Sequence, residues 1–233
     1  MKYSKQELTD IAYSYFARGV GESDPRYKQG VEYDRRMAAR VPARAKYRDW
    51  CAMLARVQAR FPTGLRDIGV ENKSLFLAGA GAAALDRCFT GALWLPDQSP
   101  AESHHQLEFV VSFVVPYYAV RSSHFEEDPT PLLPPSQRAR LVFQGDTCYI
   151  FPPDPNAVAD PNEKPRYRRI HRFEFSAAEE PFARGIAEEI ETTFPGHEPI
   201  SPEVGLTVVP EVEAGNKTFG EATIFTCLFA DEW

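Results

Sequence analysis

The spacing of apolar positions changes along the chain from a helical period to a period of two, and later reverts. Behind Ser4 and Glu7, Leu8, Ile11 and Tyr15 recur at helical spacing. A serine followed three residues later by a glutamate is a capping box, in which each side chain satisfies a free backbone N–H of the other residue. This predicts a helix over residues 4–17. After the turn Arg18-Gly-Val-Gly21, Asp24-Pro25 supplies an N-cap and a proline at the first helical position, where its missing N–H costs nothing. The stripe Tyr47, Trp50, Leu54, Val57 and Phe61 continues the helical region to Pro62. Pro42 lies inside it and predicts a break, with one helix ending near Arg40 and another following.

From Leu65 onward β-branched and aromatic residues alternate between turn formers, which predicts strands at 74–77, 87–95, 106–115 continuing past Pro116 to 122, 140–143, 147–151 and 167–175. Segments 109–115 and 223–229 are apolar on both alternating sets, as strands covered on both faces are. The proline-rich stretches 128–135 and 152–165 read as loops. Ser176 with Glu179 forms a second capping box, and Phe182, Ile186, Ile190 and Phe194 form one stripe. A helix therefore runs to about Thr193; Pro181 allows a second start, with Glu180 as its cap. Segments 204–212 and 218–229 flank 213–217 and read as a hairpin, with Pro210 marking an edge or a bulge. The expected fold is α+β in a single domain, 1–233. N-terminal helices (1–62) pack on a mainly antiparallel sheet (65–175), with one further helix (176–194) before a C-terminal β-hairpin (204–229).

Composition changes this picture little. The 233 residues are 43% hydrophobic and 25% charged, enough apolar material for a core without disulfides or a structural metal. Residues 1–10 hold no apolar stretch of the kind found in a secretory signal. The longest apolar run, 109–120, falls short of the roughly 20 residues that a membrane-crossing helix needs. Cys51, Cys88, Cys148 and Cys227 are far apart and form no C-x-x-C pair, which reads as reduced core thiols in a cytoplasmic protein. No metal site and no cofactor is expected from these spacings.

Charge is more informative. Residues 1–60 carry 13 Lys/Arg against 7 Asp/Glu, whereas residues 174–233 carry 13 carboxylates against only Arg184 and Lys217. The basic residues from Arg26 to Arg60 are interleaved with Tyr27, Tyr33, Tyr47 and Trp50, a composition that nucleic-acid binders share. Direct binding would need Arg35, Arg36, Arg40, Arg44 and Arg48 to form one positive stripe, and the acidic remainder of the chain disfavours it by repelling phosphates. Acidity concentrated in one third of the chain is instead suited to steering a basic partner. On the helix after Ser176, Glu188 and Glu191 lie opposite the apolar stripe, and Asp231, Glu232 and Trp233 add two charges and an aromatic anchor.

Candidate chemistry is sparse. Gly79-Ala-Gly81-Ala-Ala-Ala84 formally matches a phosphate-binding glycine loop, but no repeated β-α unit follows it. His104-His105-Gln-Leu-Glu108 and His124 with Glu126, Glu127 and Asp128 combine imidazoles with carboxylates, the groups of acid/base catalysis. On a strand His104 and His105 point to opposite faces, and so do His105 and Glu108. Ser112 is a lone hydroxyl in an apolar strand, which a backbone carbonyl would satisfy. No nucleophile elbow, P-loop or kinase signature is present.

The ending Ala222-Thr-Ile-Phe-Thr-Cys-Leu-Phe-Ala-Asp-Glu-Trp233, with the capped helical N-terminus and the helix-then-sheet order, resembles the α+β immunity proteins encoded beside bacterial polymorphic toxins. The resemblance implies a cytoplasmic protein, not an enzyme, that binds and occludes a cognate toxin or effector domain. The acidic surface then names Glu188, Glu191, Asp231, Glu232 and Trp233 as partner-binding residues. The alternative is an enzyme of another class with a site built from His104 or His124 and nearby carboxylates.

Overall fold

The computed structural model describes residues 2–21, 23–62, 65–66, 87–95, 105–127, 140–144, 147–151, 167–215 and 217–229. The candidate strand at 74–77, the glycine loop with Gly79 and Gly81, His104, Asp128, and Asp231, Glu232 and Trp233 lie outside them. The fold is α+β, and its residues group into two compact units, 1–124 with 171–233, and 125–170. In the second, β5 (Arg140–Gln144) and β6 (Thr147–Phe151) form an antiparallel hairpin.

In the first unit, β1 (Leu65–Arg66), β2 (Cys88–Trp94), β3 (Gln106–Ser112) and β4 (Tyr117–Glu127) pair antiparallel in sequence order. β7 (Tyr167–Arg172), of which only His171 and Arg172 belong to this unit, follows β4 in the strand order, and the two-residue β8 (Glu198–Pro199) runs parallel to β4 at Tyr117 and Tyr118. Every residue of β3 is buried, so both faces of the sheet require cover. α1 (Lys5–Tyr15) and α2 (Val31–Arg60) precede the sheet, and α3 (Glu180–Thr193) follows β7. Phe89, Leu93, Leu107, Phe109, Val111 and Tyr118 share one core with α2 and α3. Trp50 of α2 anchors it, stacked on Phe89 at 5.1 Å and 10° and lying 5.8 Å from Phe109. Cys88, Val110, Tyr117 and Ala119 share the other core with Leu8, Ala12 and Phe16 of α1 and a C-terminal layer. Burying each large apolar side chain of these cores contributes about 1.5–3 kcal/mol.

The capping box of Ser4 and Glu7 forms as the sequence predicts: the Ser4 hydroxyl accepts from the Glu7 N–H and Glu7 accepts from the Ser4 N–H at 2.7 Å. Five other expectations need correction, the last of them at the C-terminal hairpin. α2 is a single helix through Pro42. Pro42 and Ala38 both lie on its exposed side, so the carbonyl that Pro42 leaves without a helical donor faces water. That helix begins at Val31 rather than near Pro25, because Asp24 closes a local turn on the Arg26 N–H at 2.8 Å and a short 3-10 turn, Tyr27–Gln29, intervenes. The expected strand through Pro116 is two strands, since residues 113–116 turn the chain back and β4 pairs antiparallel with β3. At α3 only half of the second capping box forms: Glu179 accepts the Ser176 N–H at 2.7 Å, while no side chain caps the helix.

The C-terminal hairpin survives only as isolated antiparallel bridges, Val208 with Thr223 and Ala214 with Lys217. Two short helices, α4 (Pro202–Gly205) and α5 (Ile224–Leu228), replace its strands. Thr223 and Thr226 form a reciprocal cap that starts α5, and all five residues of that helix are buried. A run that is apolar on both sets satisfies a wholly buried helix as well as a two-faced strand.

A substitution at Gly91 checks the sheet packing. Gly91 faces Phe109 across the β2–β3 pair, and a Cβ there would lie 2.5 Å from the Phe109 ring. Gly91→Ala should lower stability by about 1–3 kcal/mol, read as an earlier urea midpoint. An unchanged midpoint would refute this packing. Across the sheet, Glu108 is buried with Arg121, which donates to it through Nε at 2.9 Å and through Nη2, and Gln106 donates to it at 2.6 Å. Glu108→Gln removes the negative charge that the buried Arg121 guanidinium faces and should cost about 3–5 kcal/mol in the same measurement.

Candidate functional site

A cavity of about 470 Å³ opens on the α2/α3 side of the sheet, lined by His105, Ser122, His124, Arg172, Glu174, Phe175, Ser176 and Glu179. Strand alternation and helix entry assemble it. His105 precedes β3 on the face that Leu107 continues, and Ser122 is the cross-strand partner of Leu107. His124 follows two residues later on the same face. Glu179 is the residue on which α3 starts.

His105 Nε2 lies 2.8 Å from Glu179 Oε1 and 3.0 Å from Ser122 Oγ. An ionised carboxylate only accepts, so Nε2 carries the proton and donates it. Burial alone would raise the Glu179 pKa. Hydrogen bonds from the Ser122 hydroxyl, from Ser176 and from His105 together outweigh burial and hold it at about 2. The arrangement is not a nucleophilic triad. In a triad the serine gives its proton to one imidazole nitrogen while the acid orients the other; here serine and acid meet the same nitrogen, and the Ser122 hydroxyl is turned to Glu179. The cluster ties the start of α3 to β3 and β4, across 74 residues of chain. Among the described residues it leaves Nδ1 of a 37% exposed imidazole without a hydrogen bond, the ring lying 6.0 Å from that of His124 between centroids.

Sequence spacing pointed to His104 and His124, and His124 does line the cavity. His105 and Glu179 were legible separately, one in the histidine cluster and one in a capping box, but not as a pair. Glu108 lies on the opposite face, as alternation requires, 3.8 Å from His171. Ser112 is a structural hydroxyl that donates to the Leu228 carbonyl at 2.6 Å. Cys88 and Cys227 are buried free thiols, and burial pushes the Cys227 thiol up to about 12, away from nucleophilic use. Among the described residues no group of three His, Cys, Asp or Glu is placed to hold a metal ion, and no helix is long and apolar enough to cross a membrane.

The charged surface is sorted by its partners. Arg36 is buried, donating to the Tyr27 hydroxyl at 2.6 Å with its guanidinium 5.0 Å from the Phe16 ring centre, and Arg40 is buried as well. Arg35 donates to the Ser14 carbonyl, and Arg56 and Arg60 pair with Glu189 and Glu188 at 2.6 and 2.7 Å. Of the five arginines that a positive stripe would require, Arg36 and Arg40 are thus turned into the core. Of the expected partner-binding residues, Glu188 is half-exposed in its pair with Arg60, and Glu191 accepts from the Tyr118 hydroxyl at 2.7 Å. Glu174, Glu180, Glu203 and Glu211 are exposed, and none has an ion pair among the described residues. No family model, curated protein or solved structure matches the chain.

Glu179 should shape the acid limb of stability. A carboxylate whose folded pKa is depressed stabilises the fold above its ordinary value of 4.5, and that contribution is lost as pH falls from 4.5 through about 2. Glu179→Gln should flatten the pH dependence of the urea midpoint across this window. Parallel curves for the two proteins would show that the cluster is not formed in solution.

Proposed function

We propose that this protein is a cytoplasmic immunity protein that binds and occludes a basic toxin domain through its acidic C-terminal third. The observation that carries the reading is the uneven pairing of charge. Arg35, Arg36, Arg40, Arg56 and Arg60 of α2 are engaged within the molecule, whereas Glu174, Glu180, Glu203 and Glu211 are exposed without cationic partners among the described residues. Unpaired surface carboxylates accelerate encounter with a cationic surface and penalise a wrong partner. Glu188 belongs to the same surface, because an exposed pair such as Glu188–Arg60 is worth little and exchanges readily with a competing cation. Asp231, Glu232 and Trp233 are further contacts in this reading. Three exposed apolar side chains, Leu206, Val208 and Phe219, occupy the same part of the chain and supply the desolvated area that holds a complex once it is steered together.

A second reading, an enzyme, is favoured by one feature. His105 has its Nε2–H directed at a carboxylate and its Nδ1 open in a cleft that a second imidazole lines, which is the arrangement of an oriented general base. The two readings part on His105→Ala, which abolishes an activity centred there and leaves occlusion by the acidic surface intact.

In this reading the adjoining reading frame encodes the toxin domain, so its product is the test partner. Co-expression should restore growth, and the purified complex should weaken as salt rises. Glu203→Lys with Glu211→Lys should slow association by about tenfold while changing dissociation less. A neighbouring product that neither harms the cell nor binds this chain would refute the immunity reading.

A further inference from the structure

A second cavity, of about 310 Å³, adjoins the first: Phe175 lines both. Its position follows from an incompletely covered edge of β4. On that edge β8 pairs only with Tyr117 and Tyr118, and β7 ends at Arg172. Ala119 and Val120 of β4, Phe173, Phe175 and Ile200 form its apolar floor. Its other wall is one strip of α3, Glu180, Ala183, Arg184 and Ala187, at the i, i+3, i+4, i+7 spacing of a single helix face. The two alanines on that strip are what leave the space open. Glu174 lines the first cavity and Glu180 the second, and both carboxylates are exposed and without an ion pair. Arg184 also lines the second cavity.

We propose that this double groove is the seat for one extended segment of the toxin, carrying a large apolar side chain with a Lys or Arg within two residues of it. The inference rests on the immunity reading. The apolar side chain enters between Ala183, Ala187 and the Phe173–Ile200 floor, where both walls shield it from water. The neighbouring cation meets Glu180 or Glu174 on either side of Phe175, and Arg184 takes a backbone carbonyl of the segment. An apolar anchor in a pocket with a charge at its rim is the arrangement that concentrates binding energy in few residues.

Two substitutions test the groove separately from the acidic surface at large. Ala187→Trp fills the cavity, and Glu180→Lys reverses its rim; Glu211→Lys reverses a carboxylate outside it. The affinity of each purified variant for the toxin domain is measured by calorimetry, with thermal unfolding as the check on folding. The expected result is a loss of about tenfold or more for Ala187→Trp and for Glu180→Lys, with a smaller loss for Glu211→Lys. If the wild-type complex forms and both groove variants bind as it does, the groove proposal falls while the immunity reading stands. If the toxin domain does not bind the wild type, the immunity reading falls. The groove is then decided by titrating the capped dipeptide N-acetyl-Phe-Arg-amide. Amide shifts confined to residues 118–120 and 180–187 support it, and their absence up to about 10 mM overturns it.

Discussion

A strand buried along its whole length on both sides governs this architecture. β3 presents Leu107, Phe109 and Val111 to one side and Gln106, Glu108, Val110 and Ser112 to the other, and none of them reaches solvent. No single helical layer can cover both faces, so the chain must supply two. α2 and α3 make one, from segments more than a hundred residues apart; α1 and the segment around α5 make the other. The two sides differ in character. One is an aromatic core centred on Trp50, and the other combines an apolar core with the buried carboxylate of Glu108, which Arg121 and Gln106 compensate. A charge in that position is tolerable only because its partners lie at fixed cross-strand positions, Glu108 opposite Arg121.

The same constraint determines where polar chemistry can appear. Alternation sends successive residues of β3 into one core or the other, so accessible polar side chains collect where the covering helices begin and the strands leave the sheet. His105, Ser122 and His124 meet the start of α3 at such a place, and Glu179 is held ionised there by several donors at once. The arginines of α2 are absorbed differently. Some pack under aromatic rings and others pair with α3, while among the described residues Glu174, Glu180, Glu203 and Glu211, which follow β7, are exposed without an ion pair.

Local signals were legible in the sequence and distant ones were not. The Ser4–Glu7 cap needs only four residues, and it forms as read. The strands at 88–94 and 106–112 followed from apolar runs bounded by turn formers. Pro42 misleads because a proline breaks a helix only where its neighbours cannot tolerate an unbonded carbonyl, and the orientation of α2 exposes that carbonyl to water. Residues 224–228 mislead because burial on all sides erases periodicity, leaving Thr223 and Thr226 as the only local sign of a helix. In the cleft, His105 and Glu179 each belonged to a recognisable pattern. Their pairing depends on how α3 docks on the sheet, which no spacing within either pattern encodes.

The tie between Ser112 and Leu228 bears on how the chain matures. The two residues are separated by 116 positions, yet the Leu228 carbonyl satisfies the Ser112 hydroxyl inside the sheet, and Phe225 and Phe229 complete the layer around α1. During synthesis, α1, α2, β2, β3 and β4 all leave the ribosome well before that layer exists. One face of the nascent sheet therefore remains wet until residues 222–229 emerge, and long-range closure of this kind slows folding and prolongs exposure of apolar surface. The second core thus closes in one late step, when residues 222–229 become available, rather than progressively.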